Sequence, residues 1–266
     1  PPIHGGGVFM HGTASALAVG NATPSPGPVD LGNFRVGGAA PSAGFAVQNT
    51  TTGAGAERLG VGAVGTTGNF SATNVLGSGF VNPGATQANA VTASVSGGVA
   101  GLNSGTLTID YTTNGQLIDA SFGTIAANSQ AIALSATGYN AAQGSASPSP
   151  VVIANQRVGG TNSQALTVSN TAPAGAFSER LNASFGTNTG QATNNGGSFN
   201  LLSAGASNSA AMSVGVDTSA AGARSGTVTL NYVTDGTGTS GLAAASAGSQ
   251  TVNVSGNVYQ VAQGQL

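Results

Sequence analysis

T-L-T-I-D-Y, residues 106–111, alternates small polar with apolar side chains at every step. Successive side chains of a strand point to opposite faces, so Leu107, Ile109 and Tyr111 share one face, while Thr106, Thr108 and Asp110 share the other. A strand with one face in a core and one in water needs this pattern. It recurs at Ala90–Val95 and at Gln164–Val168, and no segment sustains the 3.6-residue period of an amphipathic helix. The 44 glycines and the Ala, Ser, Thr and Asn load would suit a disordered chain, but disordered chains lack alternating apolar runs. The sequence therefore predicts a folded all-β protein, with no helix longer than two turns.

Charge is scarce. Of the 266 residues only 5% are charged, against roughly 25% in an ordinary soluble domain. Lys, Cys and Trp are absent, and the net charge is −2. This balance excludes the basic footprint of a nucleic-acid-binding protein and a polybasic membrane patch. Without cysteine there is no disulfide framework. No apolar run reaches 18 residues and no basic leader precedes one, so neither a transmembrane helix nor a retained signal peptide is expected.

The second half repeats the first at an offset of 120 to 122 residues. Asn49-Thr50 meets Asn170-Thr171, Ser104-Gly105-Thr106 meets Ser225-Gly226-Thr227, and Tyr139 with Gln143-Gly144 meets Tyr259 with Gln263-Gly264. A period this long is a whole domain rather than a solenoid coil. Alternation and turn residues predict seven strands per copy. They fall at 29–36, 42–49, 57–64, 69–74, 88–96, 104–113 and 129–139, then at 151–158, 163–170, 179–186, 198–202, 208–216, 225–234 and 249–259. The predicted architecture is two tandem seven-stranded immunoglobulin-like β-sandwiches, at 27–146 and 147–266, preceded by a strand segment and linker at 1–26. Proline-bearing joints, Ala22–Pro26 and Ala146–Pro150, stand before each copy and predict short, stiff connections.

Each copy opens in a recognisable way. Val29–Gly37 with Phe45–Thr50, and Arg157–Gly160 with Leu166–Thr171, resemble the start of ASH-type immunoglobulin-like domains, the family named for abnormal-spindle and hydin proteins. They are also similar to the "choice-of-anchor D" repeats of bacterial surface proteins, whose last strand the closing Thr251–Tyr259 resembles. The first copy departs from that pattern at Ala39-Ala40-Pro41, where a proline interrupts the turn. The resemblance spans both copies. It implies a seven-stranded sandwich in secreted, repetitive surface proteins, and it brings no catalytic residues.

Four of the five basic residues sit at repeated places: Arg35 and Arg157 in R-V-G-G, Arg58 and Arg180 in E-R-L. Glu57 and Glu179 precede the latter pair, and no other acid recurs. The expected role is structural, an ion pair or hydrogen-bonded clamp inside each copy. Catalytic devices are hard to assemble from this set. His4 and His11 are the only histidines, so neither copy holds a base for a serine nucleophile. Two imidazoles without cysteine or a nearby carboxylate fall short of a zinc site. Asp235-Gly236 reads as a turn rather than a calcium loop. Gly5–Gly7 and Gly37-Gly38 lack the Lys-Ser/Thr of a phosphate cradle. No cofactor and no enzymatic activity are expected.

Val8-Phe9-Met10-His11-Gly12 aligns without a gap on Val252–Gly256, so residues 1–20 read as the last strand of a further copy. Such a strand suits either an excerpt of a longer array or a subunit whose front strand, with Val8, Phe9, Met10 and His11, docks on a neighbour. The leading expectation is a structural subunit of an extracellular bacterial filament or surface array, secreted and partnered by copies of itself. The alternative is an adhesin or ligand-binding module of a large repetitive surface protein.

Overall fold

The computed structural model describes residues 28–265, and none of these is helical. In the first repeat the strands are β1 (Val29–Arg35), β2 (Ser42–Gln48), β3 (Arg58–Thr66), β4 (Phe70–Asn74), β5 (Phe80–Val81), β6 (Thr86–Val95), β7 (Gly101–Asn114) and β8 (Thr124–Tyr139). They form a sheet in the order β1-β8-β7-β3-β5 and another in the order β2-β6-β4. The alternation of 106–111 holds: Leu107, Ile109 and Tyr111 are buried and Asp110 is exposed. Burial extends to Leu59, Val61 and Leu134 of the larger sheet and to Val47, Phe70 and Val91 of the smaller. A side chain of this size contributes about 1.5–3 kcal/mol when fully buried.

The second repeat contains β9 (Gly144–Ser147), β10 (Val151–Arg157), β11 (Gln164–Ala165), β12 (Thr167–Asn170), β13 (Arg180–Gly190), β14 (Ala192–Asn194), β15 (Ser198–Leu202), β16 (Ser207–Asn208), β17 (Ser213–Val216), β18 (Gly222–Asp235) and β19 (Ala245–Tyr259). The long sheet runs β10-β19-β18-β13-β15, with β10 parallel to β19 and the other neighbours antiparallel. Two three-stranded sheets, β11-β17-β14 and β16-β12-β9, face it. One core joins them, with Leu166, Val168 and Val214 packed in the same cluster as Leu181, Leu230 and Val252.

The described residues fall into two compact units that do not follow the repeat boundary. Of the described residues, the first holds 28–31, Ser42–Ser96 and Ser104–Leu134. The second takes Gly32–Pro41 and Gly97–Asn103 together with everything described from Ser135 onward.

Strand number departs from the expected seven per copy, because irregular residues cut long runs and make short pieces. The run expected at 208–216 splits where Asn208 turns its Oδ1 to accept from the amides of Ala210 and Ala211, both at 3.0 Å. The run expected at 163–170 splits at Leu166, where the chain leaves its pairing with β17 and takes up pairing with β9 and β16. The joint before Pro148 is more than a connection, since β9 pairs with β12 from Gly144↔Asn170 to Ser147↔Thr167. Gln250 holds that strand by both ends of its amide, accepting from Ala146 N at 2.7 Å and donating to Ala146 O at 2.9 Å. Gly144 lies against the Tyr232 ring, in space that a Cβ would fill.

Candidate functional site

Two of the repeated charges, Arg35 and Glu179, meet at the start of β13. Glu179 is fully buried, and its carboxylate is met by three donors. Arg35 Nε lies 2.7 Å from Oε2 and the Thr234 hydroxyl 2.6 Å from the same oxygen, while the Ser240 hydroxyl donates to Oε1. Arg35 also donates from Nη2 to the Ala243 carbonyl at 2.6 Å, and Asn33 donates from Nδ2 to the Ser240 carbonyl at 2.7 Å. All these residues belong to the second unit. A buried carboxylate is stable only if a cation and further hydrogen bonds replace its water, and this arrangement supplies both.

Local sequence explains why Arg35 points here. Beyond β1 the chain turns through V-G-G, with Gly37 at φ +77°, a value that favours glycine. Gly38 N donates to Arg35 O and Val36 N to Tyr139 O, each at 2.9 Å, which pins the turn on the end of β8. Tyr139 itself packs on Phe177 with ring centroids 5.8 Å apart.

Asn170 fixes the backbone of the glutamate. Buried at the end of β12, it donates from Nδ2 to Glu179 O at 3.1 Å and to Leu202 O at 3.2 Å. Its Oδ1 accepts from Gln143 N at 3.1 Å and Ala172 N at 3.2 Å. Asn49 has the same place in the first repeat, donating to Glu57 O at 2.9 Å and Val81 O at 3.2 Å. By sequence these asparagines are no more than the ends of the strands expected at 42–49 and 163–170. Their repetition beside threonine was the signal that could have marked them as hubs.

The pairing inside each copy that the sequence suggested is not the one that forms. Arg35, from the first repeat, meets Glu179 of the second, and among the described residues this is the one ion pair. Glu57 is buried with the Thr113 hydroxyl as its donor. Arg58 turns away from Glu57, donates from Nη2 to Asn114 Oδ1 at 2.8 Å and lies 4.8 Å from the Phe80 ring centroid. Its Nε is buried without a hydrogen-bond partner. Arg180 sits under Gly238 and lines a cavity of about 320 Å³ with Ser178, Ser203 and Thr239. Arg157 is exposed. Val8, Phe9, Met10 and His11 lie outside the described residues.

Elsewhere the acids serve turns. The hydroxyl and amide of Ser121 hold the Asp119 carboxyl below the usual carboxylate range, and the amide and hydroxyl of Ser219 do the same for Asp217. Thr237, with help from Asn182, lowers Asp235. Among the described residues no three His, Cys, Asp or Glu side chains gather as metal ligands. Arg180 is the one ionisable residue lining its cavity, and a second cavity of about 260 Å³, between Gly160–Ser163 and Ser213–Val216, is lined by none.

No family model and no curated protein matches the chain. Among solved structures it is similar to the EC1–3 region of mouse clustered protocadherin PcdhgC3, at 9% identity and a TM-score of 0.38, over 90% of this chain and 68% of that one. It is also similar to CfaE, the adhesive subunit of the CFA/I fimbria of enterotoxigenic Escherichia coli, at 11% identity and a TM-score of 0.30, over 91% and 99%. A third is the YadV chaperone, at 11% identity and a TM-score of 0.24, over 83% and 96%. At likeness this low, the reading of the site rests on the chain's own residues.

Proposed function

We propose that the chain is a structural subunit of an extracellular bacterial filament or surface array, in which copies join head to tail. The observation that carries this reading is the Arg35–Glu179 joint, in which a chain with five basic residues commits one to a partly buried contact between elements of successive repeats. A device that fastens repeat to repeat, built from residues the repeats share, serves a protein whose work is to hold a line of domains together. The scarcity of charge removes the repulsion that would oppose stacking like surfaces. In the same reading, residues 1–20, whose sequence aligns on the last strand of a repeat, dock on a neighbouring copy as an added strand.

Negative-stain microscopy of the purified chain tests this. Filaments or ordered arrays that grow with protein concentration are the expected result. Isolated particles at every concentration would remove the filament reading. Deleting residues 1–20 should then abolish assembly while leaving the domains folded, and unchanged filaments would remove strand docking alone.

A further inference from the structure

We propose that Asn155 and Arg157 of one chain engage Glu57 and the Gly115–Gly123 loop of a second copy, remaking between molecules the joint that Asn33 and Arg35 make with Glu179. This rests on the head-to-tail reading above and names the residues that would join the copies.

Both halves of the joint recur, and within the described chain they stand unjoined. The donor half is N-x-R-V-G-G, present as Asn33–Gly38 and again as Asn155–Gly160. The two turns share one geometry. Gly159 has φ +82° where Gly37 has +77°. Gly160 N donates to Arg157 O at 2.9 Å, and Val158 N to Tyr259 O at 3.0 Å, matching the bonds of Gly38 and Val36. Asn155 and Arg157 are both exposed, and no acid meets Arg157 among the described residues.

The acceptor half is the glutamate cradle. Asn49 holds the Glu57 carbonyl as Asn170 holds that of Glu179, and the Thr113 hydroxyl donates to Oε2 as the Thr234 hydroxyl does in the second cradle. What Glu57 lacks, among the described residues, is a cation. All five arginines of the chain are described, and none pairs with it. The Glu57 residue keeps 6% exposure, whereas Glu179, covered by Arg35, keeps none.

Apolar surface accompanies the charges on each side. Leu117, Ile118 and Phe122 are exposed on the loop beside Glu57. A Cβ placed on Gly115 would lie 2.7 Å from Glu57 Oε1 and 2.9 Å from Phe122 Cβ, so the loop and the carboxylate are immediate neighbours. On the donor side, Tyr259 stands opposite Arg157 in the β10–β19 ladder and is 53% exposed. Its counterpart Tyr139, whose carbonyl accepts from Val36 N, rests on Phe177. The occupant is a second copy of this chain because the cradle is shaped for the tip of a repeat, and the charges are complementary. Donor and acceptor are different surfaces, so the contact is heterologous and propagates from copy to copy.

Cross-linking tests the register. Ser240, whose carbonyl accepts from Asn33, corresponds to Asp119 in the first repeat at an offset of 121. The chain has no cysteine, so Asn155→Cys mixed with Asp119→Cys offers one thiol per molecule. Oxidation of the mixture should give a disulfide-linked dimer on a non-reducing gel at about ten times the yield of either variant alone. Adding Arg157→Gln, on the exposed side, to the Asn155→Cys chain should weaken association about tenfold and cut that yield accordingly. Thermal melting confirms that the variants remain folded. Filaments that form normally with no such cross-link, and that ignore Arg157→Gln, would overturn this joint and leave the filament reading standing. A wild-type chain that never associates would overturn both.

Discussion

Glu179 and Glu57 occupy equivalent places, with the same asparagine hub behind them and the same threonine hydroxyl in front. They differ in what completes them. Glu179 has an arginine and a serine hydroxyl and is closed to water, while Glu57 has neither among the described residues and stays slightly open. The desolvation of a carboxylate is repaid only by a partner brought to it. The pair of cradles thus differs in one respect: the second holds a cation and the first, among the described residues, does not.

The largest test of that difference is to remove the arginines one at a time. Arg35→Ala leaves the buried Glu179 carboxylate unpaired and should cost about 3–5 kcal/mol in urea denaturation. Arg157→Ala, on an exposed turn, should stay within about 0.5 kcal/mol. Equal losses would erase the distinction.

The asparagine hubs should behave alike. Asn170→Ala and Asn49→Ala each strip donors from buried carbonyls, at roughly 1–3 kcal/mol per orphaned group. A neutral result at Asn49 would mean that the first cradle is not built as the second is.

Close approach at Gly144 gives a smaller effect. Gly144→Ala drives a Cβ into the Tyr232 ring and should cost about 1–3 kcal/mol. Gly123→Ala, with nothing within 4 Å of the added carbon, should be neutral. Melting temperatures of the two variants decide it.

The smallest expectation is a shared one. Tyr111 and Tyr232 are buried and donate to Gln130 and Gln250 at 2.9 and 3.0 Å. Burial pushes both from 10.0 up to about 12. A folded pKa above the unfolded one gives stability that is complete below pH 10.0 and is lost as pH rises toward about 12. Tyr111→Phe and Tyr232→Phe should each flatten that alkaline loss, and a melt unchanged between those limits would contradict it.

The strands were legible because alternation survives in single runs such as 106–111 and 225–234. Two- to four-residue pieces, β5, β9 and β14, were not, since so short a run has no period to read. The repeat also marked which charges matter. It did not tell which glutamate Arg35 meets, because Arg35 and Glu179 are 144 residues apart and the sequence placed them in different domains. Asp119 and Ser240 show the same limit, since one step of loop composition decides whether a cradle gains a second hydroxyl.

The parallel ladder between β10 and β19 has a consequence for force. Its pairs run from Val151↔Val254 to Arg157↔Tyr259, so an early strand of the repeat and its last strand point the same way. Tension entering at Val151 and leaving at Tyr259 slides these strands past each other and strains their hydrogen bonds together, instead of peeling them one by one. A repeat tethered at these residues should resist stretching in a single high-force event, and the bond set that yields there fixes its unfolding rate under load.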